Sequence, residues 1–417
     1  MALEGKSFSL DVLWSTEIVG APPVGTTGTL QFGAGLVLDV QSMFADGRIV
    51  WLGSQIGPSS RSKILLVDAD RTRPDRSVAL ELQGGASAQR RSLLSWFLGG
   101  NTPNQKPSVL TLAVGSAGKI WVAGLSNAYL DMLSGDHSDA YLAAVDETGR
   151  PLWERTYRGH GRRLIRSVTQ IASGDLAIAG SDGGQGWVAR LSPDGDELWG
   201  RHLGNNLDNA IAALPDDRLI LAGFEGVGSG RTKDYQNHVT TWIIDGSGAT
   251  LAKIRIRDSI SQRQHSHFGR VSVMATPGAV YVASNWKDPF NAQPVEIAKL
   301  RLDGTLMWKV VLQDTISAVD TAVRTRNTCS PTLSVNLNPS GDVVVACSLE
   351  QIQIYKLDGH SGRYHESYLS LPECQTGLPA VLFLAIRNDG TMILSGSRPA
   401  ANVGRGCTWI GRLAEIS

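Results

Sequence analysis

The chain has 417 residues, with 39 Lys plus Arg balanced by 39 Asp plus Glu, so its formal net charge is zero. That balance provides no whole-molecule attraction to nucleic acid or to an anionic membrane surface, and leaves only local patches as a source of such binding. The 46 glycines follow no Gly-X-Y period and no apolar run approaches the length of a spanning helix, which excludes collagen and helical membrane proteins.

The opening MALEGKSFSLDVLW has no basic segment followed by an apolar core, so no secretory leader is legible in it. The first predicted element is a strand over residues 9–18, SLDVLWSTEI. Seven apolar hairpins follow, at residues 40–53, 112–124, 168–180, 211–223, 271–284, 333–348 and 382–396. Their turns carry Gly, Pro, Asn and Asp, the residues that reach or pre-set tight-turn dihedrals. Both strands of each hairpin are apolar and the hairpins end in small residues (Ala-Gly, Ala-Ser, Ser-Gly), as suits strands buried on both faces near a crowded axis.

After each hairpin comes a further strand. Six of these lead into an Asp/Gly turn: ILLVDAD from Ile64, YLAAVDETG from Tyr141, WVARLSPDG from Trp187, VTTWIIDGSG from Val239, EIAKLRLDG from Glu296 and IQIYKLDGHSG from Ile352. The seventh, WIGRLAEIS from Trp409, ends the chain with no strand after it. Residues 9–18 resemble the strands carrying Trp153, Trp199 and Trp308 and supply the missing partner. The pattern predicts an all-β, seven-bladed β-propeller with four antiparallel strands per blade, a single domain over residues 1–417. Residues 9–18 complete the C-terminal blade with 407–417. Such closure removes exposed sheet edges. Unequal repeat spacing falls in loops, one of which, at residues 86–99, has room for a short helix. Seven matching hairpins argue against two stacked β-domains.

The strand–turn–strand units carry a resemblance. Ala144-Val145-Asp146-Glu147-Thr148-Gly149 followed by Trp153, Leu191 through Gly195 followed by Trp199, and Leu302-Asp303-Gly304 followed by Trp308 are similar to bacterial PQQ-like and related secreted propeller repeats. The resemblance implies a tryptophan packed between neighbouring blades. Quinoprotein dehydrogenases of that superfamily have eight blades and a vicinal Cys-Cys pair, which this chain lacks, so no cofactor is expected.

The loops entering the blades are rich in Arg and His. They contain Arg90 and Arg91, then His160, Arg162 and Arg163, then Arg263, His265 and His267, then Arg324 and Arg326. On a propeller these loops share one face, and converging guanidiniums there bind carboxylate, sulfate or phosphate. The competing reading is a set of solvated loop charges partly neutralised by Asp258, Asp314 and Asp320. His265 and His267 lack a third ligand at suitable spacing, so no metal is expected. No nucleophile elbow, phosphate loop or zinc-type cysteine pair is present.

The four cysteines, Cys329, Cys347, Cys374 and Cys407, fall in the last two blades. The preferred pairing is Cys329–Cys347 and Cys374–Cys407, though three pairings fit the sequence. Two bridges imply an oxidising compartment, periplasmic or extracellular; four buried thiols in a cytoplasmic protein is the alternative. The expected function is non-catalytic recognition by a propeller exported from a bacterium. It binds a protein partner or an anionic ligand on the Arg/His face, for instance as an inhibitor or immunity-type protein. The alternatives are a lyase or hydrolase acting on an acidic saccharide at the channel mouth, with His160, His265 or His267 as general base, and a structural interaction scaffold.

Overall fold

A computed structural model describes residues 6–18, 36–43, 49–55, 62–67, 76–79, 108–115, 118–126, 139–204, 206–227, 236–261, 270–285, 295–312, 332–348, 352–365, 367–368, 380–398 and 406–415. The expected short helix at residues 86–99 lies outside them. Every regular element described is a strand. Among the described residues no helix is long and apolar enough to cross a membrane.

The chain starts with β1 (Lys6–Ile18). The first four-stranded sheet is β2 (Leu36–Met43), β3 (Ile49–Gln55), β4 (Ser62–Val67) and β5 (Arg76–Ala79). The second is β6 (Ser108–Val114), β7 (Ile120–Leu125), β8 (Ala140–Val145) and β9 (Pro151–Tyr157). The third is β10 (Arg163–Gln170), β11 (Leu176–Asp182), β12 (Gln185–Leu191) and β13 (Glu197–His202). The fourth is β14 (Asn206–Ala213), β15 (Leu219–Val227), β16 (Gln236–Ile244) and β17 (Thr250–Ser261), and the fifth β18 (Arg270–Ala275), β19 (Val280–Asn285), β20 (Val295–Leu300) and β21 (Leu306–Leu312).

The remaining strands are β22 (Thr332–Leu337), β23 (Val343–Ser348), β24 (Ile352–Leu357), β25 (Tyr364–His365), β26 (Ser367–Tyr368), β27 (Ala380–Ile386), β28 (Met392–Arg398) and β29 (Gly406–Glu415). Together with β1 they form one nine-stranded sheet. It is two groups joined by a short parallel bridge, Lys6↔Ser367 and Ser7↔Tyr368. In the second group, β1 runs antiparallel to β29 from Phe8↔Glu415 to Ile18↔Gly406. The N-terminal strand therefore completes the C-terminal sheet, as the unpaired final strand requires.

Contacts divide the chain into two compact units. One comprises Ala34–Val227 with Trp242–Leu251, the other Met1–Gly33 with Gly228–Thr241 and Ala252–Ser417. Within the first, the core between the second and third sheets contains Trp121, Leu142, Ile165, Ile178 and Trp187. Within the other, Tyr281, Ile297, Val343, Val345, Cys347 and Leu357 fill the space between the fifth sheet and β22–β24.

Burial follows strand position. Inner strands β7, β8 and β19 are buried at every residue, which explains their unbroken apolar sequences. The hairpins' first strands differ from expectation: β10 and β18 are only partly buried. They are edge strands covered on one side in their own sheet. The outer edges β9, β13 and β21 are half-buried or exposed except at Tyr157 and Leu312, which are buried.

The sheets interlock through one recurring contact. Gly195, Gly248 and Gly362 sit in turns at φ 84°, 88° and 71°, a region that strongly favours glycine. A Cβ at these positions would meet the rings of Trp153, Trp199 and Trp308, respectively, at 2.8, 3.0 and 2.8 Å. Each tryptophan belongs to the outer strand of the preceding sheet, so the packing between repeats implied by the resemblance is observed. Trp153 Nε1–H donates to the Pro193 carbonyl at 3.2 Å, and Tyr157 O–H to the Gly195 carbonyl at 2.7 Å.

Candidate functional site

Among the described residues, charge and histidine concentrate where the third sheet's strands begin and end beside the loop 158–162. In register, Arg163 at the head of β10 lies opposite Asp182 at the end of β11. Trp187 in β12 lies opposite His202 at the end of β13. Sheet pairing thus gathers residues up to about forty positions apart without a dedicated loop.

Asp182 is the hub. Its side chain is fully buried. Oδ2 accepts from Arg163 Nη2 at 2.7 Å and from His202 Nε2 at 3.0 Å, while Oδ1 accepts from the His160 backbone N–H at 3.0 Å. Burial alone would raise the Asp182 pKa; hydrogen bonds from Arg163 and His202, with the Arg163 charge and the His160 N–H, outweigh it and hold the carboxyl below its ordinary value. The group is therefore a carboxylate at neutral pH.

Arg163 is equally committed. It is 9% exposed, and its guanidinium lies 4.2 Å from the Trp187 ring centroid, within cation–π range. The loop reaches this clamp because Gly159 has no side chain; a Cβ there would collide with Asp182 Oδ1 and Arg163 Cβ. His160 and Arg162 are exposed on the same loop. The His160 and His202 rings stand 6.3 Å apart between centroids.

The fifth sheet has a neutral counterpart. Arg270 lies opposite Asn285, and the Arg270 backbone N–H donates to Asn285 Oδ1 at 3.0 Å. The carboxylate of the third sheet does the same backbone-holding job and adds a charge that organises Arg163 and His202.

Of the residues predicted from sequence, the structure brings His160, Arg162 and Arg163 to one edge, with Arg163 as the clamp and the other two exposed. Arg90, Arg91, Arg263, His265, His267, Arg324 and Arg326 lie outside the described residues, as do Cys329 and Cys374. Cys347 is fully buried in β23, and Cys407 lies in β29 opposite Glu17 and Arg398. Sequence reasoning missed Asp182 and His202. The available signal was a lone acid closing an apolar strand, Ala179-Gly180-Ser181-Asp182, two positions before a Gly-rich turn ends. Among the described residues no three His, Cys, Asp or Glu side chains are grouped to hold a metal.

No protein family matches the sequence, and no curated protein matches it. Solved structures do. The Dos1 propeller superposes with a TM-score of 0.53 at 9% identity, covering 96% of this chain and 94% of that one. The propeller domain of the trilobed protease from Pyrococcus furiosus gives 0.44 at 10% identity over 90% and 95% of the two chains. An ulvan lyase of polysaccharide lyase family PL25 gives 0.49 at 10% identity over 98% and 96%. The Dos1 likeness, with the four-stranded antiparallel sheets, makes this chain a β-propeller.

Proposed function

We propose that this chain is a non-catalytic recognition propeller of seven blades that binds a protein partner or an anionic ligand on its Arg/His loop face. The observation that carries this reading is the clamp at Asp182. It uses a buried ion pair and two further hydrogen bonds to hold a loop that carries exposed His160 and Arg162. Loops held rigidly on a scaffold are where propellers and other β-folds place recognition. Arg163 serves as the support, while Arg158, His160 and Arg162 offer cationic or hydrogen-bonding contact. Arg90, Arg91, Arg263, His265, His267, Arg324 and Arg326 belong to the same reading. So do the two disulfides and a periplasmic or extracellular location.

Heparin chromatography tests the anionic form. Wild type should be retained, and Arg158→Ala with Arg162→Ala should elute at clearly lower salt while melting at the same temperature. Coincident elution would remove this loop from the reading.

A scaffold role is the second reading, favoured by outward apolar residues on edge strands. Leu152, Leu198 and Leu251 are 50%, 54% and 56% exposed, each three residues after a turn glycine. Changing all three to Ser while retaining heparin binding, and losing self-association or partner binding, would favour the scaffold.

A further inference from the structure

The two histidines at the Asp182 hub have the geometry of an incipient metal site. Metal-binding imidazoles characteristically donate one ring N–H to a carboxylate, which fixes the tautomer and leaves the other nitrogen as the ligand. His202 has this arrangement, with Nε2 3.0 Å from Asp182 Oδ2. Donation through Nε2 leaves the Nδ1 lone pair available for coordination. The orienting carboxylate is itself immobile, because it is fully buried and held by Arg163 at 2.7 Å.

His160 is brought to the same place by the same residue. Its backbone N–H is bound to Asp182 Oδ1 at 3.0 Å, and its ring centroid is 6.3 Å from that of His202. Metal–nitrogen bonds of about 2.0–2.1 Å set two imidazoles on one zinc-type ion with centroids roughly 5–6 Å apart. A side-chain adjustment of about 1 Å closes the difference. His202 is held by Asp182, so the adjustment falls to the His160 ring, which is exposed and flanked in the loop by Gly159 and Gly161.

Local charge does not forbid a cation. Arg163, the nearest guanidinium, is neutralised by Asp182. A donor set of two neutral imidazoles selects Zn²⁺, Cu²⁺ or Ni²⁺ over Ca²⁺ or Mg²⁺.

We infer that His160 and His202 form a two-histidine site for a divalent transition-metal ion, oriented by Asp182, with water or an acidic group of a ligand at the other positions. This site shares His160 with the partner-binding reading but needs no partner to be tested.

The experiment is a Zn²⁺ titration of the full chain by calorimetry, with a Cu²⁺ spin-resonance spectrum as a second readout. Wild type should bind one ion at this site. His160→Ala and His202→Ala should each weaken it by at least about tenfold and reduce the coordinated imidazole nitrogens from two to one. His360→Ala and His365→Ala, on exposed residues elsewhere, should leave it unchanged. The inference is overturned if wild type takes up no ion, or if either hub variant titrates and gives the spectrum of wild type. Thermal melts of each variant separate loss of the site from loss of the fold.

Discussion

Trp199 lies flat against Gly248 of the following repeat, and its indole Nε1–H donates to the Gly246 carbonyl at 2.9 Å. The turn presents both features at once. Its glycine removes the side chain that would block the ring, and its carbonyl satisfies the only polar atom the ring buries.

This contact makes Gly248→Ala costly for two separate reasons. A left-handed φ of 88° costs a residue with a side chain about 1–2 kcal/mol, and the new methyl would press on the indole. A total loss of about 2–4 kcal/mol is expected. Trp199→Phe keeps most of the packing but loses the hydrogen bond, and should cost about 1–3 kcal/mol. Urea unfolding of the two variants checks the order. Trp199→Phe costing more than Gly248→Ala would mean that the turn adapts and the ring does not.

The repeat itself was legible from sequence because its signals are local. Asp146-Glu147-Thr148-Gly149 and Asp245-Gly246-Ser247-Gly248 prescribe turns by their own side chains, and β7 and β8 prescribe buried strands by unbroken apolar composition. The hub was not legible. His202 lies twenty residues from Asp182, and the two meet only because β12 stands between β11 and β13 in a fixed register. Arg163 and Arg162 are adjacent and chemically identical. Strand alternation alone sends one inward to Asp182 and the other out, and its phase depends on where β10 begins, a boundary that composition does not mark.

A second inter-repeat device centres on Arg190. Its Nε meets Asp175 Oδ2 at 2.7 Å, its Nη1 the Gly246 carbonyl at 3.2 Å and its Nη2 Asp217 Oδ2 at 3.4 Å. The same strand position holds Lys299, bound to the Gly359 carbonyl at 2.6 Å, and Lys356, paired with Asp342 at 3.2 Å. Arginine joins partners that the single ammonium of lysine must choose between. Arg190→Lys should therefore cost about 1 kcal/mol and Arg190→Met about 2–3 kcal/mol, the latter leaving Asp175 half-buried without its partner. Denaturant midpoints at constant slope would measure both; equal losses would show that only the charge matters.

The turn carboxylates predict the acid limb of stability. Hydrogen bonds from Thr148 hold Asp146 below its ordinary pKa of 3.8, and Ser247 and Ser361 do the same for Asp245 and Asp358. A folded pKa below the unfolded value stabilises the protein above the unfolded value, and that contribution is lost as pH falls through the folded one. Stability should thus be level down to about pH 5 and decline below it as the pH passes 3.8. Asp245→Asn with Asp358→Asn should flatten that decline, because Asn still accepts the turn hydrogen bonds without titrating. An unchanged slope between pH 5 and 3 would assign the acid sensitivity to other groups.

The buried pair Arg163–Asp182 should show the asymmetry of charges taken out of water. With side chains 10% and 0% exposed at a separation of 2.7 Å, the two ions have already lost their hydration, and each depends on the other for compensation. Arg163→Met strands the carboxylate with only His202 and the His160 N–H, and should cost about 3–5 kcal/mol. Asp182→Leu strands the guanidinium and frees the loop, at a similar cost. The double variant removes both charges and should lose substantially less than the sum of the single losses, because neither ion is left unpaired. A double-mutant cycle by urea unfolding reads this directly. Additive losses would mean that water reaches the pair once either partner is gone, and that the clamp holds its loop through the backbone hydrogen bond from His160 rather than through the ion pair.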